Sequence, residues 1–190
     1  MEKKLFLLDA YALIYRAYYS FINNPRRNSK GMNTSASFGF VNTLYEVLEN
    51  QNPTHIAVVF DPDTPTFRHQ MYKEYKAQRP PTPEDIKSNI PYLKQIIEGF
   101  NIPVVSVDYY EADDVIGTLA QQAVKQGFWV YMMTPDKDFC QLVDERIKLF
   151  KPKRSGNDAE IWDTETVKKH FKIDAPEKVV DVLAMWGDQS

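Results

Sequence analysis

Short apolar runs alternate along this chain with longer segments of helical periodicity. The segments between the runs repeat apolar residues every three or four positions, as amphipathic helices do. Strands that alternate with helices in this way predict a mostly parallel sheet with helices on both faces, so we expect a three-layer α/β fold. The predicted strands are Lys4–Asp9, His55–Phe60, Ile102–Val107, Phe128–Thr134 and Arg146–Phe150.

Two predicted helices lie between the first two strands, with a predicted loop between them, and the first helix covers Tyr11 to Phe21. Thr34 or Ser35 can cap a helix that runs to about Asn50. The loop before it, residues 23–33, contains Pro25, Arg26, Arg27, Lys30 and Gly31, so we expect it to be exposed and basic. The periodicity predicts that the inner face of the helix comprises Phe38, Val41, Leu44, Tyr45 and Leu48.

The segment Phe67–Arg79 is basic and rich in tyrosine. If it is helical, five of its side chains share one face at spacings of three, four and seven residues. Such a face is either a solvated surface or a set of phosphate contacts with aromatic stacking, and the local pattern leaves both interpretations open. The five residues are Arg68, Tyr72, Tyr75, Lys76 and Arg79.

Composition limits the class of protein. The length of 190 residues suits one substantial domain, and no apolar run approaches the roughly 20 residues that cross a bilayer. The single cysteine, Cys140, excludes an internal disulfide and fits a reducing compartment. There is no glycine-rich phosphate loop, which disfavours a nucleotide-dependent enzyme. We therefore expect a soluble, cytoplasmic, monomeric protein with no membrane partner.

Carboxylates follow four of the predicted strands. Because the carboxyl ends of parallel strands lie along one edge of a sheet, these acids should converge, and their charges would then repel. Two divalent ions about 4 Å apart, Mg²⁺ or Mn²⁺, would neutralise them and form a site that hydrolyses phosphodiesters. The alternative is that the acids merely cap helices. The acids concerned are Asp9, Asp61, Glu111, Asp113, Asp114, Asp136 and Asp138.

The net charge of −3 is compatible with a nucleic-acid partner. If these acids and Asp188 bind metal ions, the rest of the protein carries a charge of +5. The three histidines, at positions 55, 69 and 170, lie in unrelated contexts and do not form a zinc-binding set.

Several motifs follow one another along the whole chain: Leu7-Leu8-Asp9, Tyr15-Arg16-Ala17, Val58-Val59-Phe60-Asp61, Phe67-Arg68 through Pro83, Tyr110-Glu111-Ala112-Asp113-Asp114, Asp136-Lys137-Asp138, Gln141-Leu142 and Gly187-Asp188. In this order they resemble the 5′ nuclease domain at the N-terminus of bacterial DNA polymerase I, in the flap endonuclease superfamily. The resemblance implies a PIN-like fold. It also implies a two-metal nuclease that acts on 5′ ends, flaps, nicks or RNA primers in DNA replication and repair.

The resemblance also implies roles for individual residues. The metal site would comprise Asp9, Asp61, Glu111, Asp113, Asp114, Asp136, Asp138 and Asp188. We expect Glu111 and Asp113 to bind metal directly and Asp114 to act through water. Tyr75, Lys76 and Arg79 match the catalytic gateway residues beside the metals. Contacts to nucleic acid would come from Arg16, Arg68, Tyr72, Arg26 and Arg27.

The sequence departs from the pattern of this family in two places. Ala10 follows Asp9 where a glycine is common, a change that we expect to be harmless. After Ser190 the family pattern continues with a further Asp and Asn and a helix–three-turn–helix clamp for the duplex. The resemblance thus implies a fragment, with a catalytic domain at 1–172, the start of the clamp region at 173–190, and a polymerase region on the full-length chain. A PIN-type ribonuclease and a non-catalytic nucleic-acid-binding module remain alternatives.

Overall fold

The computed structural model describes residues 2–152 and 159–186 and contains a six-stranded sheet with the order β3-β2-β1-β4-β5-β6. Strands β1 to β5 pair in parallel, whereas β6 pairs with β5 in the antiparallel direction, so the predicted mostly parallel sheet is confirmed. Strand β6 was not predicted, because four residues are too few for a periodic signal. The strands are β1 Lys4–Asp9, β2 His55–Val59, β3 Val104–Val105, β4 Trp129–Met133, β5 Ile147–Pro152 and β6 Ala159–Trp162.

Helices cover both faces of the sheet, as predicted. Successive residues of β1 point to opposite faces: Phe6 and Leu8 pack with α1, α2 and α4, while Leu7 packs with α5, α6 and α7. Two short 3₁₀ helices, Lys137–Leu142 and Pro176–Lys178, complete the connections. The α-helices are α1 Ala10–Ser20, α2 Ser35–Gln51, α3 Phe67–Met71, α4 Glu84–Gly99, α5 Ala112–Lys125, α6 Thr164–Phe171 and α7 Val179–Trp186.

The inner face predicted for α2 is partly wrong. Phe38 and Tyr45 are 44% and 55% exposed, and the most deeply buried large side chains are Phe40, Leu44 and Val47. The reason is the close approach of α1. A Cβ atom at Gly39 would lie 2.7 Å from the Cβ of Ala17, so α2 turns its glycine towards α1 and its apolar stripe shifts by about one position.

The segment Phe67–Arg79 does not form one helical face. Helix α3 ends at Met71, Tyr72 has an extended backbone, and Lys76 adopts a left-handed conformation with φ of +56°. None of the residues in α3 is fully buried. A longer helix would therefore have had no packing face to stabilise it.

The third strand is shorter than predicted. Only Val104 and Val105 pair with β2, and the chain then leaves the sheet through residues 106–110. Glu111 therefore lies at the N-cap of α5 and not directly at a strand end. No helix in the described part of the chain is long and apolar enough to cross a membrane.

The C-terminal region packs on the face of the sheet that α5 and α6 cover. Val179 and Val182 of α7 belong to the same core as Val115 and Val167. The division between a domain at 1–172 and a second region at 173–190 stays a prediction. The predicted metal ligand Asp188 and residues 153–158 lie outside the described residues.

Candidate metal centre

The register of the sheet places the carboxyl ends of its central strands side by side. Asp9 pairs with Val59 of β2, and Leu8 pairs with Met133 of β4. Asp61 and Asp136 follow those strands within three residues. The order of the strands also reverses between β1 and β4, and the crevice at such a point is where open α/β sheets bind ligands.

Three of these acids also satisfy backbone N–H groups at the first turn of a helix. The helix-capping interpretation is therefore correct for their local contacts. It does not account for their convergence, because a capping carboxylate needs no other acid beside it. The bonds run from Ala12 N to Asp9 Oδ1 (3.2 Å), from Ala112 N to Asp61 Oδ1 (2.7 Å) and from Asp138 N to Asp136 Oδ1 (2.9 Å).

A cleft of about 880 Å³ opens outside these strand ends. Side chains from the β1, β2 and β4 ends, from the N-terminus of α5 and from the turn after α3 meet in it. Cations line the same cleft, namely Lys76, Arg79, Lys137 and Lys151. Its acidic residues are Asp9, Asp61, Glu111, Asp113, Asp136 and Asp138.

The pKa values of Asp9 and Asp113 are raised in the cleft. Burial raises the pKa of Asp9 to about 6, and the charges of Asp61 and Asp136 add to this, while hydrogen bonds from Ala12 and Thr134 oppose it. The pKa of Asp113 rises to about 7, first through burial of its carboxyl group and then through repulsion by Asp9, Asp136 and Asp61. Asp113 is nevertheless accessible to solvent, because it lines an open cleft.

These residues fit hard divalent ions. They offer carboxylate oxygens, which Mg²⁺ and Mn²⁺ prefer, and their mutual repulsion is relieved by a bound cation. Within residues 2–152 and 159–186, no three His, Cys, Asp or Glu side chains form a complete ligand set. The acids of the described residues thus line one cleft, but no three of them surround a single position for a metal ion.

Glu111 is buried and accepts hydrogen bonds from two of the predicted gateway residues. Lys76 Nζ donates to Oε1 at 2.8 Å, and the Tyr75 hydroxyl donates to Oε2 at 3.0 Å. Burial, with Glu111 adding to it, raises the pKa of Tyr75. Burial lowers the pKa of Lys76, but the Glu111 carboxylate outweighs that effect and raises it. Arg79 lines the same cleft, so the structure brings all three predicted gateway residues to the acids.

Asp114 and Arg68 contact each other beside this cleft. Arg68 Nη1 and Nη2 donate to the two carboxylate oxygens of Asp114 at 2.6 and 2.8 Å. These hydrogen bonds hold the pKa of Asp114 below its ordinary value. Asp113 and Asp114 thus differ in environment, because successive side chains of a helix point about 100° apart.

Two of the predicted nucleic-acid contacts lie away from the residues that line the cleft. Arg16 is half-buried, and burial lowers its pKa while the charge of Glu46 opposes that change. The Tyr72 side chain is exposed, and its hydroxyl donates to Glu74 at 2.9 Å. Their predicted roles at nucleic acid stay predictions.

Arg26 and Arg27 lie in the loop before α2. The Arg26 guanidinium stacks over the rings of Phe21 and Phe38, at 5.5 and 5.7 Å from their centroids. Arg27 donates to the carbonyl oxygen of Gly31 at 2.7 Å, inside the same loop. Neither arginine lines the acidic cleft in the described part of the chain.

Two polar side chains that organise the site were not predicted from the sequence. The buried Thr134 donates its hydroxyl to Asp9 at 2.9 Å and accepts from the backbone N–H of Asp136 at 3.2 Å. A hydroxyl residue directly after an apolar strand was an available signal. The Tyr15 hydroxyl donates to Thr82 at 2.9 Å, and no local signal could have revealed a contact across 67 residues.

This sheet order, with an acidic, cation-lined cleft at its switch point, defines an α/β domain of the PIN-like fold. Comparison with known proteins places it more narrowly. Residues 4–172 match the family described as the 5′-3′ exonuclease, N-terminal resolvase-like domain, and the chain belongs to that family.

Curated relatives agree with this assignment. The chain is 37% identical over 189 residues to DNA polymerase I of Bacillus subtilis, a match that covers 100% of this chain and 21% of the relative. It is 38% identical over 187 residues to the 5′-3′ exonuclease of Aquifex aeolicus, covering 98% of this chain and 62% of that protein. The chain thus spans about a fifth of the length of the polymerase that it matches.

Solved structures agree on the fold. The T5 D15 protein co-crystallised with metal ions superposes with a TM-score of 0.73 at 18% identity, over 98% of this chain and 67% of the other. The catalytic core of Rad2 in complex with a DNA substrate superposes with a TM-score of 0.58, also at 18% identity, over 98% and 55% of the two chains.

Proposed function

We propose that this chain is the catalytic part of a structure-specific 5′ nuclease that hydrolyses phosphodiester bonds at 5′ ends, flaps or RNA primers. The observation that carries the proposal is the acidic cleft, in which Asp9, Asp61, Asp113 and Asp136 share one electrostatic environment beside a set of cations. Family membership supports it, since the relatives include a protein named 5′-3′ exonuclease.

In this proposal the acids hold two Mg²⁺ or Mn²⁺ ions. The charges of Asp9, Asp61 and Asp136 all act on Asp113, so these four acids form the centre of the site. Glu111 and Asp138 line the same cleft. Bound there, divalent ions would lower the pKa of a coordinated water and stabilise charge on the leaving oxygen. The T5 D15 protein, which was co-crystallised with metal ions, supports a metal site in this cleft.

The gateway residues would act on the scissile phosphate. Lys76 and Arg79 face the acids, so a phosphate in the cleft would lie between cations and metal ions. The hydrogen bonds from Tyr75 and Lys76 to Glu111 keep both side chains oriented into the cleft. In the same way, the Thr134 hydroxyl donates a hydrogen bond to Asp9 and orients its carboxylate.

The partner would be DNA with a 5′ flap, a nick or an RNA primer. The Rad2 core that shares this fold was solved with a DNA substrate. In relatives named DNA polymerase I the matching region is about a fifth of the protein, so a polymerase region on the same full-length chain is part of the proposal.

A cleavage assay tests the proposed function. We expect 5′-flap DNA to be cut with Mg²⁺ and left intact with EDTA. Asp113→Asn should lower the single-turnover rate by at least about 10³-fold, which corresponds to about 4 kcal/mol of transition-state stabilisation. Asp181→Asn is the matched control, because Asp181 is an exposed acid on α7 outside the cleft.

The choice of substrate separates this proposal from its alternatives. A PIN-type ribonuclease would cut single-stranded RNA in preference to flap DNA. A non-catalytic binding module would bind DNA in the presence of Mg²⁺ and would cut neither the flap DNA nor the RNA. Flap cleavage that persists in EDTA, or that Asp113→Asn leaves unchanged, would contradict the metal-dependent 5′ nuclease.

A further inference from the structure

Arg68 and Asp114 form the most extensive side-chain ion pair beside the cleft. Two parallel hydrogen bonds of 2.6 and 2.8 Å occupy both oxygens of Asp114. This bidentate arrangement is the strongest geometry that an arginine and a carboxylate adopt. Both side chains are mostly shielded from solvent, with 31% and 25% of their surfaces exposed.

The pair is connected directly to Glu111. Arg68 Nη1 also donates to Glu111 Oε2 at 3.3 Å, and the backbone N–H of Glu111 donates to Asp114 Oδ2 at 3.2 Å. Glu111 and Asp114 are the N-cap and third residues of α5, and they form a reciprocal capping box. Arg68 therefore contacts both ends of the turn that presents Glu111 and Asp113 to the cleft.

Hydrogen bonds to Tyr109 hold helix α3 in place, and they therefore also hold the backbone of Arg68 relative to α5. The backbone N–H of Phe67 donates to the carbonyl oxygen of Tyr109 at 3.0 Å, and the Gln70 amide donates to the Tyr109 hydroxyl. Tyr109 has a φ of +79°, which a non-glycine residue rarely adopts without surrounding contacts that hold it. The loop before Glu111 and helix α3 thus hold each other in place.

We propose that Arg68 is a positioning residue. With Asp114 it clamps the first turn of α5 and so sets the direction of Glu111 and Asp113 towards the metal ions, and neither Arg68 nor Asp114 contacts metal or phosphate. The inference rests on the proposed metal site. It replaces the nucleic-acid contact predicted for Arg68 and the metal-ligand role predicted for Asp114.

Electrostatics alone would give the two residues opposite effects. Removing a cation near an acidic cleft strengthens the binding of a divalent ion there, whereas removing an anion weakens it. If the pair clamps the first turn of α5, substitution of either residue should weaken the binding of the divalent ion, since either substitution releases the turn. Partners that orient metal ligands in this way typically contribute about 10-fold to 100-fold in metal affinity.

The test measures Mn²⁺ binding to the 190-residue chain by calorimetry, without DNA, for Arg68→Gln, Asp114→Asn and the double variant. We expect each single substitution to weaken Mn²⁺ affinity by about tenfold, and the double variant to be no more than about threefold weaker than the worse single variant. Arg68→Lys should restore little, because one ammonium group cannot bind both oxygens of Asp114. Amide exchange at residues 111–115 should accelerate in both single variants.

Arg146→Gln is the control, since Arg146 binds the carbonyl oxygen of Gly127 at the amino ends of the strands. Tighter Mn²⁺ binding by Arg68→Gln, with weaker binding by Asp114→Asn, would overturn the clamp. So would Arg68→Gln lowering flap affinity in Ca²⁺ with Mn²⁺ affinity unchanged, which is the behaviour of a phosphate contact. If the unsubstituted chain binds no Mn²⁺, the proposed function fails and not the clamp alone.

Discussion

At the scale of single residues, the site depends on carboxylates held against their own repulsion. Asp9 is buried and bonded to Ala12 and Thr134, yet burial still raises its pKa to about 6. The pKa of Asp113 rises further, to about 7, with burial and three neighbouring acids as the causes. The metal-free fold therefore carries an electrostatic cost at neutral pH.

Replacing Asp113 should stabilise the metal-free protein. Its pKa lies near 7 in the folded state and near 3.8 in the unfolded state, so the folded state binds more protons between those values. The free energy of unfolding consequently falls as pH rises from about 4 to 7. In EDTA at pH 8, Asp113→Asn should gain about 1 kcal/mol, reduced from the full shift because the residue reaches solvent, and melt about 2–4 °C higher.

Thermal denaturation between pH 4 and 8 measures this effect. The advantage of Asp113→Asn should shrink as the pH falls towards 4, because the carboxyl group is then protonated in the folded state and begins to be protonated in the unfolded state as well. Equal melting temperatures at pH 8, or an advantage independent of pH, would show that Asp113 is not under this repulsion.

At the scale of elements, helices α1 and α2 pack closely against each other on one face of the sheet. Gly39 of α2 lies against Ala17 of α1, and the shifted stripe of α2 follows from that contact. Asp9 is the N-cap residue of α1, and the helix carries Tyr15, so the position of α1 sets part of the cleft wall.

Gly39→Ala should destabilise the fold. A Cβ there would lie 2.7 Å from Ala17 Cβ and 3.3 Å from its Cα, and backbone cannot yield as a flexible side chain can. Overpacking of this kind costs about 1–3 kcal/mol, and the roughly 1 kcal/mol that alanine gains over glycine inside a helix offsets part of it, so we expect a net loss of up to about 2 kcal/mol.

Gly99→Ala provides the matched comparison, since a Cβ at Gly99 meets nothing within 4 Å. It should leave stability unchanged or slightly increased. Urea unfolding of the two variants measures the difference, and equal midpoints would show that α1 and α2 separate without cost.

At the scale of the whole molecule, charge is distributed unevenly about a net value of −3. Six acids line one cleft, together with Lys76, Arg79, Lys137 and Lys151. Under the proposed function, this cleft would repel a phosphate backbone without divalent ions and attract one with them.

Binding of 5′-flap DNA should therefore depend on divalent ions even when no bond is cut. At constant ionic strength we expect about tenfold tighter binding with Ca²⁺ than with EDTA, measured by fluorescence anisotropy. The double variant Asp61→Asn/Asp136→Asn should bind more tightly than the unsubstituted chain in EDTA, because two repelling charges are gone. Equal affinity in Ca²⁺ and EDTA would contradict this distribution of roles.

The sequence by itself determined the central parallel strands of the sheet and the convergence of Asp9, Asp61 and Asp136, but not the antiparallel strand β6 or the short length of β3. Apolar runs specify strands locally, and parallel pairing then aligns whatever follows them. Only the tertiary structure decided which acids have cationic partners. Lys76 reaches Glu111 from a turn 35 residues away, and Arg68 reaches Asp114 across 46 residues. Such pairings depend on how elements pack against each other, which no local pattern of residues encodes.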